Sequence, residues 1–98
     1  MKKGYLIENY SITDKVNYIP PVKIIDKILR QYKGKFLVAT PKAEVLSGTP
    51  KEVTIVIEFE SVEKVKIFYQ SKEYGEFKEL YNNTTEGWIS IAEEYQKK

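Results

Sequence analysis

The chain has no histidine and no cysteine. The first absence removes imidazole as a general base and as a metal ligand. The second removes thiolate nucleophiles, disulfides and thiolate-held zinc or iron–sulfur centres. Arginine is nearly missing as well, since Arg30 is the only one among the sixteen basic residues. Phosphate and nucleic-acid sites favour the bidentate guanidinium fork, and the lysines here are scattered, so nucleic acid is not an expected partner. No apolar run comes near the ~18 residues of a membrane span, so no membrane association is expected. The short apolar segment Tyr5-Leu6-Ile7 is cut by Glu8 and is too short for the core of a secretory signal. The expected location is the cytoplasm.

What is present is ninety-eight residues, 42% hydrophobic and 31% charged, with a net charge of +2. This is the composition of one folded domain spanning residues 1–98, with too little net charge to name a partner. Tyr5 to Ile12 alternates as a strand does. Asp14 is a good N-cap, and Val16, Ile19, Val22, Ile25, Ile28, Leu29 and Tyr32 follow at helical spacing. Pro20-Pro21 should break that helix, with Pro21 opening its second piece and Gly34 ending it. Phe36–Thr40 reads as a short strand and Glu44–Leu46 as a brief one. Val53–Phe59 is the strongest strand. Ser61 caps a helix carrying Val62, Val65, Phe68 and Tyr69. Ser71 caps a second segment carrying Tyr74, Phe77, Leu80 and Tyr81, which should end at Asn82-Asn83 and Gly87. Trp88–Ala92 is the last strand.

The order is β-α-β-(β)-β-α-β. With right-handed crossovers it gives an α+β, ferredoxin-like antiparallel sheet in the order 4-1-3-2, with the helices on one face. The apolar set Val53, Ile55, Ile57 and Phe59 should meet the helices. The other face should then carry Leu6, Glu8, Tyr10, Thr54, Val56, Glu58, Trp88, Ser90 and Ala92. Such a face is too apolar to remain bare, so it should pack on a second copy of the chain around a semi-polar cavity.

Lys3-Gly4-Tyr5, Thr13-Asp14, Tyr18 with Pro20-Pro21, Tyr32-Lys33-Gly34-Lys35-Phe36-Leu37-Val38, Glu44-Val45-Leu46-Ser47-Gly48, Ile57-Glu58-Phe59-Glu60-Ser61 and Tyr69-Gln70-Ser71-Lys72-Glu73-Tyr74 occur in order along nearly the whole chain. In these segments the sequence resembles the domain-of-unknown-function family thirteen-thirty, within the dimeric α+β barrel superfamily. It departs from the family at Lys15, where a proline is usual, and at Ala39-Thr40-Pro41, where arginine and glycines are usual. The resemblance implies a homodimer and a barrel but no agreed activity. Relatives in the wider superfamily include cofactor-free monooxygenases, isomerases, haem enzymes and ligand-sensing domains.

Glu8 and Glu58 are the sharpest candidates for chemistry. Side by side on one buried face, they would raise the pKa of at least one carboxyl and make it an acid–base group near neutrality. The plainer reading puts them at a rim, solvated or paired with lysine. Tyr10 and Tyr18 are candidate ligand contacts near the first strand–helix junction, whereas Tyr32, Tyr69, Tyr74 and Tyr81 read as core or interface. Thr54, Trp88 and Ser90 complete the candidate cavity. No phosphate loop, nucleophile elbow or histidine-based metal motif is present, and no cofactor is expected. The sequence therefore points to a homodimer binding a small organic molecule, either as a cofactor-free enzyme using carboxylate and tyrosine proton transfer or as a non-catalytic binding or sensing module. An RNA-binding domain is a weaker third, because Lys33–Val38 echoes an RNA-recognition strand without its stacking aromatics.

Overall fold

Every second residue of Val53–Phe59 is a large apolar side chain, and in the computed structural model, which describes residues 2–96, all four of these are buried. They belong to an interior strand of a four-stranded antiparallel sheet. The elements are β1 (Gly4–Ile12), α1 (Pro21–Ile24), α2 (Asp26–Gln31), β2 (Lys35–Thr40), β3 (Val53–Phe59), α3 (Val62–Tyr69), α4 (Lys72–Thr84) and β4 (Thr85–Glu93). The strand order is β2-β3-β1-β4, the expected order read from the other edge. One helical layer covers one face, and the molecule is 17 Å across its thinnest dimension. The expected α+β architecture is therefore observed.

Helix boundaries follow local chemistry. Ser61 Oγ accepts from Lys64 N at 3.2 Å and Ser71 Oγ from Tyr74 N at 3.1 Å, so both expected caps are formed. Asp14 caps only a single turn. Its carboxylate accepts from Asn17 N and its carbonyl from Tyr18 N, after which Pro20-Pro21 stops propagation and α1 starts at Pro21. Val16, on that lone turn, is 92% exposed and is no part of the core stripe. At the end of α2, Lys33 rather than Gly34 takes the left-handed conformation, with φ 59°. Gly34 N donates to Leu29 O and Lys33 N to Arg30 O, the paired bonds of a Schellman ending. Gly34 is needed one position later for space, because a Cβ there would lie 2.6 Å from Leu29 Cδ1 and 2.8 Å from Phe59 Cε2.

Two further expectations change. Glu44–Leu46 forms no strand; residues 41–52 make a long exposed excursion between β2 and β3. The helix also runs through Asn82-Asn83 to Thr84. There Thr84 Oγ1 donates to Leu80 O at 2.9 Å and Thr85 Oγ1 to Tyr81 O at 2.6 Å, satisfying carbonyls that the helix end would leave open.

The largest correction concerns β1. Leu6, Glu8 and Tyr10 pair with Ile57, Ile55 and Val53, so they lie beneath the helices and not on the open face. Tyr5, Ile7 and Asn9 take the open side with Thr54, Val56 and Glu58, joined by Trp88, Ser90 and Ala92 of β4. The two sides of β1 are almost equally apolar. A one-residue change of register, which exchanges the faces, was therefore weakly specified by pattern alone. Packing decides it, because Leu6 and Tyr10 complete an aromatic and aliphatic core with Phe59, Phe68 and Tyr74.

Candidate functional site

Glu8 sits at the centre of β1, itself the interior strand between β3 and β4, and is completely buried. Neither carboxylate oxygen has a hydrogen-bond partner. Burial raises its pKa to about 7. The Tyr81 hydroxyl stands close enough to offset part of that rise without forming a hydrogen bond of good geometry. No basic group contributes to the shift.

Around this carboxyl lies a group of phenols. Tyr10, two residues along the same face, packs edge-on against Tyr81 with ring centroids 5.1 Å apart. Its hydroxyl is 2.6 Å from that of Tyr18, which arrives on the turn before α1. Tyr74 and Tyr81 come from α4, and their buried hydroxyls have no partner. Burial is the main cause of the raised pKa of Tyr10, Tyr74 and Tyr81, and the nearby Glu8 charge adds to all three. The phenols are therefore kept protonated. Buried polar groups are nearly always satisfied, so a carboxyl and two phenols left open together mark a place where something polar belongs.

Beside them, under α1, is a pocket of about 160 Å³. Tyr10, Tyr18 and Thr40 are its polar lining residues, and Pro20, Pro21, Val53 and Ile55 supply apolar walls. Ile55 is also the register partner of Glu8. A cavity of about 150 Å³ accommodates a benzene ring. Other openings lie elsewhere; one of about 700 Å³ runs between Lys2, Ser61 and Lys66 at the other end of the sheet.

Of the seven candidates from sequence, the structure brings together Glu8, Tyr10 and Tyr18. It places Thr54, Glu58, Trp88 and Ser90 on the opposite face of the sheet. Glu8 and Glu58 are thus not neighbours in one site. Glu58 is ion-paired with Lys3, whose ammonium holds the carboxyl below its usual pKa. Thr54 Oγ1 accepts weakly from Asn9 Nδ2. Asn9 also donates to Lys51 O and Val53 O and accepts from Lys51 N, tying the end of the 41–52 excursion to β1. Trp88 is 51% exposed. Tyr74 and Tyr81 read from sequence as core or interface, not as part of the site. The available signal was tyrosine instead of phenylalanine or leucine on an inward helical stripe, since a buried phenol needs a partner. Among the described residues no group of three acidic side chains could hold a metal ion, and no helix is long and apolar enough to cross a membrane.

Comparison with known proteins agrees with this fold. The family described as "Domain of unknown function (DUF1330)" matches residues 3–95, so the chain belongs to that family. The crystal structure of a protein of unknown function from Rhodopseudomonas palustris is similar, with a TM-score of 0.76 at 9% identity, covering 98% of this chain and 85% of that one. At this identity the likeness speaks for the fold alone. No curated protein matches.

Proposed function

We propose that this member of the family is a cytoplasmic homodimer that binds a small, largely apolar organic molecule in the pocket under α1, where Glu8 and its phenols can move a proton without a cofactor. The observation that carries the reading is a fully buried, unpartnered carboxyl on the same strand face as a pocket wall made of two hydrogen-bonded tyrosines. A carboxyl in such a place costs stability, so its presence there is better explained by chemistry or binding than by folding.

The dimer is supported by the other face of the sheet. Trp88, Val38 and Ile7 share that face with Thr54, Glu58 and Lys35, in a molecule with helices on one side only. A second copy covering it would bury the apolar part and leave Thr54, Glu58 and Ser90 around a semi-polar space between the sheets. The complete burial of Glu8 favours a second reading, a non-catalytic binding or sensing module, over rapid turnover.

The test is thermal unfolding against a panel of ring-sized neutral compounds. A ligand at ~100 times its Kd raises stability by about 2.7 kcal/mol. Stabilisation that disappears when the pocket is filled by Ile55→Phe supports the reading; no stabilisation by any member of the panel refutes it.

A further inference from the structure

The Tyr10–Tyr18 pair has a property that narrows the ligand. Either hydroxyl can be the donor across their 2.6 Å contact, and only one proton can occupy it. The other hydroxyl proton has no protein acceptor among the described residues and is available at the pocket wall. The remaining walls are proline and aliphatic side chains together with Thr40, whose hydroxyl oxygen accepts from Lys42 N, with no cation among them. A ligand carrying a permanent, concentrated charge would be desolvated there without a counter-ion. A ring-sized molecule with one oxygen that can accept from the free hydroxyl fits both constraints.

Glu8 sets the charge rule of the site. Its ionised form opposes ionisation of Tyr10 and Tyr18 and, by the same field, any anion seated against them. The titratable groups facing it are Tyr10 on its own strand, Tyr18 before α1, and Tyr74 and Tyr81 on α4. Tyr69 of α3 and Glu52 act further out, through Tyr81 and Tyr18. None of these is a cation, so nothing among them can neutralise two negative charges at once.

We propose, resting on the pocket reading above, that the site takes a weakly acidic enol or phenol as its conjugate base, the delocalised oxyanion held by the Tyr10–Tyr18 hydroxyl pair while Glu8 is in its neutral, protonated form. The ligand O–H bond breaks, its electron pair stays on the ligand oxygen, and the proton passes to water where Glu8 already carries one, or to a Glu8 carboxylate oxygen where it does not. Atoms and charge balance in either case, and no oxidant, reductant or metal enters the step. Hydrogen bonds to charged groups are the stronger ones, so the pair favours the oxyanion over the neutral ligand.

The probe is 4-nitrophenol, whose conjugate base alone absorbs in the visible. Titrated into the protein just below neutral pH, it should develop the phenolate band on binding. Tyr18→Phe should weaken that binding about tenfold or more, the worth of one hydrogen bond to a charged group. Above neutrality the wild-type affinity should fall about tenfold per pH unit as Glu8 loses its proton, and Glu8→Gln should abolish that fall. The wild-type profile stands by itself should either variant fail to fold. Bound 4-nitrophenol that stays colourless, or an affinity that does not fall above neutrality, overturns the proposal. Nitrobenzene separates the two failures: its binding alongside a colourless nitrophenol keeps the pocket and removes the oxyanion site, whereas failure of both to bind removes the pocket as well.

Discussion

Replacing Glu8 by leucine should make the fold more stable above neutrality and remove most of its pH dependence between acid and neutral solution. The carboxyl rises from 4.5 to about 7 on folding. Each unit corresponds to 1.36 kcal/mol, so the penalty for burying the ionised group is on the order of 3 kcal/mol. The folded state holds this proton more tightly than the unfolded chain does, so stability from this group is greatest below the unfolded pKa. It declines as pH rises and is gone above the folded value of about 7. In a domain of this length ~1 kcal/mol moves Tm by about 4–8 °C, so wild type should melt on the order of 15 °C lower at pH 8 than at pH 4.5 through this group alone. Asp14 and Glu58, whose pKa values are lowered by Asn17 and Lys3, act in the opposite sense at the acid end. Both are common to wild type and variant, so they cancel in the comparison. The measurement is urea or thermal unfolding of both proteins across this range. Glu8→Gln is the more conservative partner, flat in pH but still carrying an unpartnered amide. A wild-type curve that does not fall toward pH 8, or a leucine variant that falls in parallel with it, would refute the assignment of the penalty to Glu8.

Other outcomes follow from particular contacts. Asn9→Ala removes the side chain that joins Lys51 and Val53 to β1, and should cost about 1–3 kcal/mol in urea unfolding, since the buried Val53 O and the half-buried Lys51 N lose their partner. Gly87→Ala would place a Cβ 2.2 Å from Asn9 O and 2.5 Å from Tyr10 Cα, and should destabilise strongly. Gly75→Ala, where nothing lies within 4 Å, should stabilise by about 0.5–1 kcal/mol through helix propensity. Trp88→Lys on the open face should shift sedimentation equilibrium from dimer toward monomer while leaving the far-ultraviolet dichroism unchanged. An unaltered association constant counts against that face as the interface.

The fold was legible because several independent signals agreed: alternation in Val53–Phe59, serine caps at Ser61 and Ser71, and a proline pair that could only stand at a helix start. The site was half legible. Tyr10 and Tyr18 were singled out by position near a strand–helix junction, and they do meet. Glu8 was singled out for the wrong neighbour, because β1 offers two sides of similar hydrophobicity and only the helices overhead choose between them. The unpartnered phenols of Tyr74 and Tyr81 could not be read from spacing, which registers that a ring points inward but not whether its oxygen finds a partner. Lys33 shows the same limit at a turn. The sequence marks Gly34 as the left-handed residue, yet crowding by Leu29 and Phe59 uses the glycine for clearance and leaves lysine to take the positive φ.

Gly87 lies opposite Tyr10 in the β1–β4 ladder, so close that a Cβ there would come within 2.6 Å of the tyrosine Cβ. The missing side chain lets β4 press directly on the stem of that ring, while Tyr81 abuts it from above. The phenol is therefore aimed before any guest arrives, and the entropy of freezing it is settled during folding, leaving less to lose at the moment of capture.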